Sequence, residues 1–134
     1  MKLPENEDQF EYASNKRYEK AGYWVNHMDT NLSGHPDTLT AKKGKGSKYI
    51  EYKYVKPTEV NRRMMSFFQP TQPGRIANMV AHGMAVDIVI YCGGLVYSCP
   101  ASIDSIQDLV KMTAKDFLSL CMQTYYSVYL QNIK

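Results

Sequence analysis

What the chain lacks narrows it first. No stretch of about 18 uncharged apolar residues occurs, so no membrane-spanning helix is expected. Residues 1–8 are acidic and polar rather than basic and then apolar, so a secretory leader is not expected. Cysteine is scarce, with Cys92, Cys99 and Cys121 only. An odd count without a C-x-x-C pair argues against a disulfide-framed scaffold. It predicts reduced thiols in a cytoplasmic protein, or in a host cell's cytoplasm if a mobile element encodes the chain. His27, His35 and His82 have no zinc-ligand spacing to any cysteine, which argues against a zinc site. No internal repeat or low-complexity tract appears.

What is present fits one domain over residues 1–134, with a core at about 7–99 and a C-terminal helical extension at about 103–134. The net charge is +3, unevenly spread. Residues 38–63 hold eight basic side chains (Lys42, Lys43, Lys45, Lys48, Lys53, Lys56, Arg62, Arg63) against Glu51 and Glu59, a local +6, and the remainder sums to −3. A lysine-rich stretch is ordinarily a solvated loop. It is also what a phosphate-binding footprint requires, because neutralised phosphates supply most sequence-independent nucleic-acid affinity. Lysines and glycines at 42–48 suit contacts to a phosphate backbone and supply no rigid fork for reading base edges.

Residues 5–21 read as a helix, with acids first, Lys16, Arg17 and Lys20 last, and Gly22 beyond as its cap. Tyr23–Val25 reads as a short strand and 29–36 as a loop. Thr38–Ala41 is a weak strand and Lys48–Lys56 a strong one, joined by a hairpin loop over 42–47. A helix is predicted from Pro57-Thr58 through Phe68, and another over about 73–82 with Gly83 behind it. Val86–Cys92 and Leu95–Cys99 flank Gly93-Gly94, a two-residue hairpin signal. Val86, Ile88, Ile90, Leu95 and Tyr97 share the face expected to be core. That register does not pair Cys92 with Cys99. Two helices close the chain, about 104–111 and 114–131, the second capped by Thr113 with Asp116. The fold class is α/β (α+β).

Pro36-Asp37 precedes the weak strand, and Glu51-Tyr52-Lys53 lies within the strong one. If the loop closes symmetrically, Lys42 pairs with Lys48 and Asp37 lies opposite Lys53. Same-face positions recur every second residue, so Asp37, Glu51 and Lys53 converge, with the Tyr52 backbone carbonyl close by. Two carboxylates and a carbonyl make a hard, oxygen-rich site suited to Mg²⁺ or Mn²⁺. Such a cation would neutralise a scissile phosphate and lower the pKa of a water. Lys53 would orient that water and stabilise the phosphorane. The plainer reading is a cross-strand Asp–Lys surface pair worth about 0.2–1 kcal/mol. P-D pairs and E-x-K triplets are each common, so these residues alone leave both readings open.

The ordered set of elements resembles the PD-(D/E)xK nuclease superfamily, and within it the VRR-NUC and archaeal Holliday-junction-resolvase-like groups. "EKAGYWV" (19–25) is similar to their first helix and strand, "GHPDTLT" (34–40) to their G-x-P-D turn, and "KYIEYKYV" (48–55) to their E-x-K strand. "QPGRIANMVAHG" (72–83) and "MAVDIVIY" (84–91) are similar to the helix and core strand that follow. The resemblance covers roughly residues 7–97. It implies a restriction-endonuclease-like core, a central mixed sheet flanked by helices. It also implies an acid on the first helix that completes the metal site. Glu11, eleven positions before Gly22, has the expected spacing, and Glu7 one turn earlier is the fallback; on its own, each is an ordinary solvated helix acid. Gln72 corresponds to the glutamine beside the site. Its separation from Lys53 is nineteen residues, longer than usual, which keeps Gln69 as an alternative.

The activity implied is Mg²⁺-dependent cleavage of DNA, structure-selective for branched or junction substrates. Asp37, Glu51, Lys53, Glu11 and Gln72 would be catalytic, and Lys42, Lys43, Lys45, Lys48, Arg62 and Arg63 would contact DNA. His35, beside the turn, is a candidate phosphate contact and otherwise an ordinary polar residue; His82 reads as a helix-dipole partner. A site-specific nicking or restriction-type endonuclease, a catalytically silent nucleic-acid-binding module and a protein inhibitor are the competing readings. Phe117, Leu118, Leu120, Cys121, Met122, Tyr125, Tyr126, Val128, Tyr129 and Leu130 would make the last helix apolar nearly all round. That predicts a homodimer built on this helix.

Overall fold

Asn6 opens the first helix: its side-chain oxygen accepts from the Gln9 N–H at 2.9 Å, satisfying a donor the helix leaves unpaired. In this computed structural model, which describes residues 1–27 and 36–134, that helix, α1, spans Glu7–Lys20. Glu7 and Asp8 lie in its first turn and Arg17 and Lys20 in its last, and Gly22 at φ 92° follows it. The chain continues as β1 (Trp24–His27), β2 (Thr38–Lys42), β3 (Gly46–Tyr54), α2 (Gln72–Ala81), β4 (Val86–Cys92) and β5 (Leu95–Pro100). It ends with α3 (Ile103–Lys111), α4 (Ala114–Ser119), β6 (Met122–Tyr125) and α5 (Tyr126–Asn132).

The six strands form one sheet in chain order. Neighbours are antiparallel except β3 and β4, which run parallel. A parallel pair needs a long crossover, and the segment carrying α2 supplies it. Both faces of the sheet are covered. Val55, Ile88 and Ile90 face α2, α3 and α4 through Ile76, Leu109, Phe117 and Leu118. Ile50, Tyr52, Val89, Tyr91 and Val96 face Phe10 and Tyr18 of α1 and Tyr126 of α5. Core was expected on only one face of the β4–β5 hairpin. The other is buried too, because α1 and α5 lie on it, and central strands covered twice lose their polar alternation.

Three local expectations change. First, the β2–β3 hairpin closes tightly: Lys42 pairs with Gly46, not Lys48, and the Lys45 N–H donates to the Lys42 carbonyl at 2.9 Å. Gly44 (φ 84°) and Gly46 (φ 73°) supply the positive φ that lets a short turn suffice. The two-residue change of register preserves every face, and it brings Asp37 into line with Glu51 instead of Lys53.

Second, the helix expected through Phe68 is two short 3-10 turns, Pro57–Glu59 and Met64–Phe67. The intervening backbone is claimed from elsewhere: the Val60 and Arg62 carbonyls accept from the Lys115 and Ala114 amides, and the Met64 N–H donates to the Met112 carbonyl.

Third, no helix covers 114–131. The Thr113 cap is present, with the Asp116 N–H donating to its Oγ1 at 3.2 Å, but α4 stops at Ser119. Residues 122–125 then pair along the open edge of β5, where unpaired amides favour a strand. The apolar residues divide accordingly. Phe117 and Leu118 enter one core and Tyr126 the other, while Leu120 (58%), Met122 (77%) and Tyr125 (70%) are exposed. The helix on which a dimer was to be built does not exist as one element.

Denaturant unfolding checks this division. Phe10→Ala, at a fully buried site, should cost about 3–5 kcal/mol. Leu120→Ala should change stability by no more than about 0.5 kcal/mol. A cost at Leu120 comparable to Phe10 would restore the buried-helix arrangement.

Candidate active site

β3 places Glu51 and Lys53 two residues apart on the face covered by α2, and both are buried, at 0% and 6% exposure. Their Oε2 and Nζ lie 3.0 Å apart. Taking both charges out of water is expensive unless further bonds support them. Gln72, the first residue of α2, gives that support: its Nε2 donates to Glu51 Oε2 at 3.1 Å, and its Oε1 accepts from Lys53 Nζ at 3.3 Å. The Gln69 N–H donates to the same Oε1 at 2.9 Å, which sets the orientation of the amide. The Phe68 ring lies under the ammonium, its centroid 4.8 Å from Nζ. Gln72 is thus the glutamine brought to the site, and Gln69 contributes its backbone while its side chain is exposed.

Asp37 reaches this group from the start of β2. Pairing of β2 with β3 ends at Thr38–Ile50, and the Tyr52 N–H donates instead to Asp37 Oδ2 at 3.1 Å. Burial raises the Asp37 and Glu51 carboxyls, with the Lys53 ammonium opposing it in both; Glu51 is pushed up to about 8. The two carboxyls lie within hydrogen-bonding reach of each other. Glu51 Oε1 is buried and has no hydrogen-bond partner among the described residues. Neighbouring buried carboxyls share a proton or a cation. An orphaned acceptor beside Asp37 therefore fits a hard cation, and the donor set is all oxygen.

Both acids of α1 lie near this pair. Burial raises Glu7 to about 7, with Lys53 opposing and Asp37 and Glu11 adding to it. Burial and then Asp37 raise Glu11, whose Oε1 accepts from Thr38 Oγ1 at 3.3 Å and lies 2.8 Å from His27 Nδ1. Among the described residues, no three His, Cys, Asp or Glu side chains form a closed metal-ligand group. His35 and the rest of 28–35 lie outside the described residues. His82 caps α2, its Nδ1 2.7 Å from the Asn78 carbonyl oxygen.

The basic residues are mostly engaged within the protein. Lys42 Nζ donates to the Ala21 carbonyl, Lys45 Nζ to the Lys134 carbonyl at 2.7 Å, and Lys48 pairs with Asp87 at 2.8 Å. Arg62 pairs with Glu59 at 2.7 Å, and Arg63 donates to the Lys111 carbonyl at 2.8 Å. The hairpin tip lies at the far end of β3 from Glu51, on the order of 20 Å away at strand rise. Sequence reasoning missed Phe68, the Gln69 amide and His27 as neighbours of the site. Only the apolar Phe-Phe before Gln69 hinted at the first.

No protein-family model matches the chain, and no curated protein matches it in sequence. Among solved structures it is similar to Hjc of Archaeoglobus fulgidus, a Holliday junction resolvase from an archaeal hyperthermophile. The TM-score is 0.50 at 15% identity, over 91% of this chain and 90% of that one. The fold is therefore that of a restriction-endonuclease-like α+β domain, a mixed six-stranded sheet flanked by helices. Coverage this wide takes in part of the segment after residue 103, which the sequence resemblance left outside.

The raised acids set a pH dependence for the metal-free protein. Glu51 and Glu7 rise from about 4.5 in the unfolded chain to about 8 and about 7 when folded, so the native state holds the extra protons. Their stabilising effect is complete below about pH 4.5 and lost as pH rises through 7 to 8. Thermal unfolding in chelator should show Tm falling from pH 5 to pH 8, with a shallower fall in Glu51→Gln. A Tm that climbs over that range would contradict the burial of these acids.

Proposed function

We propose that this chain is a divalent-metal-dependent endonuclease that cuts DNA with selectivity for branched structure. The observation that carries this reading is the buried Glu51–Lys53–Gln72 group with Asp37 beside the orphaned Glu51 oxygen. The fold shared with a Holliday junction resolvase supports it. Asp37, Glu51 and the Tyr52 carbonyl would hold Mg²⁺ or Mn²⁺, with Glu11, or failing it Glu7, as the further acid. A bound cation would supply charge neutralisation at the phosphate and a more acidic water. Lys53, aimed by Glu51, Gln72 and Phe68, orients the attacking water and stabilises charge on the phosphorane. Gln72 holds both Glu51 and Lys53 in place.

A silent binding module or a protein inhibitor has no use for a buried charged group of this kind, whose desolvation costs stability that an apolar pair would not cost. Substrate contact by the 42–48 hairpin would be remote from the scissile phosphate, through the exposed Lys43 and Lys45 above all, and Arg62 and Arg63 would add further contacts. Arg75, exposed and one helical turn after Gln72, is closer to the site. Such contacts favour backbone and shape over base sequence. Pairing into a homodimer, if through the C-terminal segment, would use the exposed Leu120, Met122 and Tyr125 around β6.

Cleavage of four-way junctions, flaps, plasmid and linear duplex tests the reading. Mg²⁺ or Mn²⁺ should be required, and branched substrates should be cut faster than linear duplex. Asp37→Ala, Glu51→Ala or Lys53→Ala should each lower the rate at least about a hundredfold, or about 3 kcal/mol. Mg²⁺ should also raise the Tm of the parent chain and not of Asp37→Ala, a readout independent of turnover. Full activity in chelator or in Lys53→Ala would overturn the proposal. One sequence-fixed cut at equal rate on linear duplex would instead make this a site-specific nicking or restriction-type enzyme.

The helix acid is tested separately. Glu11 is held by Thr38 and has His27 beside it, so Glu11→Gln should damage cleavage more than Glu7→Gln. The reverse order would assign the role to Glu7.

A further inference from the structure

Cys99 and Cys121 play no part in the site on β3 and α2, yet the sheet brings them together. The last pair of the β5–β6 ladder is Ser98 with Met122, so the next step in that antiparallel register sets Cys99 against Cys121. Directly opposed antiparallel positions have Cα atoms about 4.5–5.5 Å apart, within the span of about 4.4–6.8 Å that a disulfide bridges. The two thiols are within hydrogen-bonding reach of each other. Their sulfurs otherwise meet carbonyl oxygens, Cys99 Sγ that of Pro100 at 3.5 Å and Cys121 Sγ that of Phe117 at 3.4 Å. Both cysteines are partly exposed, whereas Cys92 is buried. Cys121 lines an open groove of about 630 Å³ with Lys115 and Gln123, whose wall also includes Cys92, while Cys99 is partly exposed outside it.

We propose that Cys99 and Cys121 are an oxidation site for hydroperoxides, closing to a disulfide that fastens β6 to β5. Contact with the Cys121 thiol lowers the Cys99 thiol from about 9 to about 7, and the same contact and burial raise Cys121, so Cys99 is the attacking thiolate. Its sulfur attacks the peroxide, the O–O bond breaks, and Cys99 becomes a sulfenic acid as an alkoxide or hydroxide leaves with the electron pair. The Cys121 sulfur then attacks the Cys99 sulfur; the S–S bond forms, the S–O bond breaks, and water departs with the Cys121 proton. In sum two thiols lose two electrons and two protons, and the hydroperoxide is reduced to an alcohol (water, for hydrogen peroxide) and water. The ring so closed encloses α3 and α4. It pins the strand from which α5 hangs, and Tyr126 and Tyr129 of α5 lie against Phe10 of α1.

The test is to treat the reduced full chain with hydrogen peroxide and follow intact mass, peptide maps and Tm. The expected product has lost two hydrogens, links 99 to 121 within one chain, and melts several degrees higher than the reduced form. Cys121→Ser should stop at a Cys99 sulfenic acid that a 1,3-diketone traps. Cys99→Ser should slow oxidation of Cys121 by about tenfold or more. Cys92→Ser should form the same cross-link as the parent. A bond through Cys92, a cross-link only between chains, undiminished Cys121 oxidation in Cys99→Ser, or no rise in Tm would overturn the proposal.

Discussion

The arrangement of the candidate site depends on one ion pair held out of water. Glu51 and Lys53 project from adjacent same-face positions of a central strand, where isolated charges are not tolerated. Everything around them answers that cost: the Gln72 amide bridges them, the Gln69 N–H fixes that amide, and the Phe68 ring lies under the ammonium. The crossover between β3 and β4 is therefore more than a connection. It brings the Phe68–Gln72 segment across the face of β3 that would otherwise leave two charges unsupported. One oxygen, Glu51 Oε1, is left without a partner among the described residues, with the Asp37 carboxyl near its own.

This also explains how the edge of the site is built. β2 gives up its pairing with β3 at Thr38, and the next amide of β3 with an inward claim, that of Tyr52, is taken by a side chain rather than a strand. A carboxylate is thereby positioned by the backbone it replaces. On the opposite face Glu11 is anchored to Thr38, the residue where that ladder ends. The acids of α1 and of the sheet thus meet where regular pairing stops.

Local chemistry made much of this legible in the sequence. The alternation of Glu51 and Lys53 survives a two-residue change of hairpin register because side-chain faces repeat every second residue. Gly93-Gly94, Gly22 and the Thr113 cap act within a few residues of themselves and were found where expected. What was illegible depends on distant partners. Residues 57–68 lose their helix to backbone bonds with 112–115, and 122–125 become a strand because β5 offers an open edge. The lysines of the 42–48 hairpin look like a free polycationic loop until the carbonyls of Ala21 and Lys134 and the carboxylate of Asp87 are brought to them.

The one parallel junction among the described strands, β3 against β4, has a consequence for the order in which the protein becomes itself. Hairpins such as β4–β5 close over short loops and form early, whereas Tyr49 meets Val86 only after a long segment of chain has been ordered between them. Glu51 and Lys53 sit in the middle of that late pairing, and Gln72 lies in the segment being ordered. A partly folded or still-emerging chain would hold its hairpins but not its ion pair, so the chemistry of the site comes into being only once the crossover between β3 and β4 has been ordered.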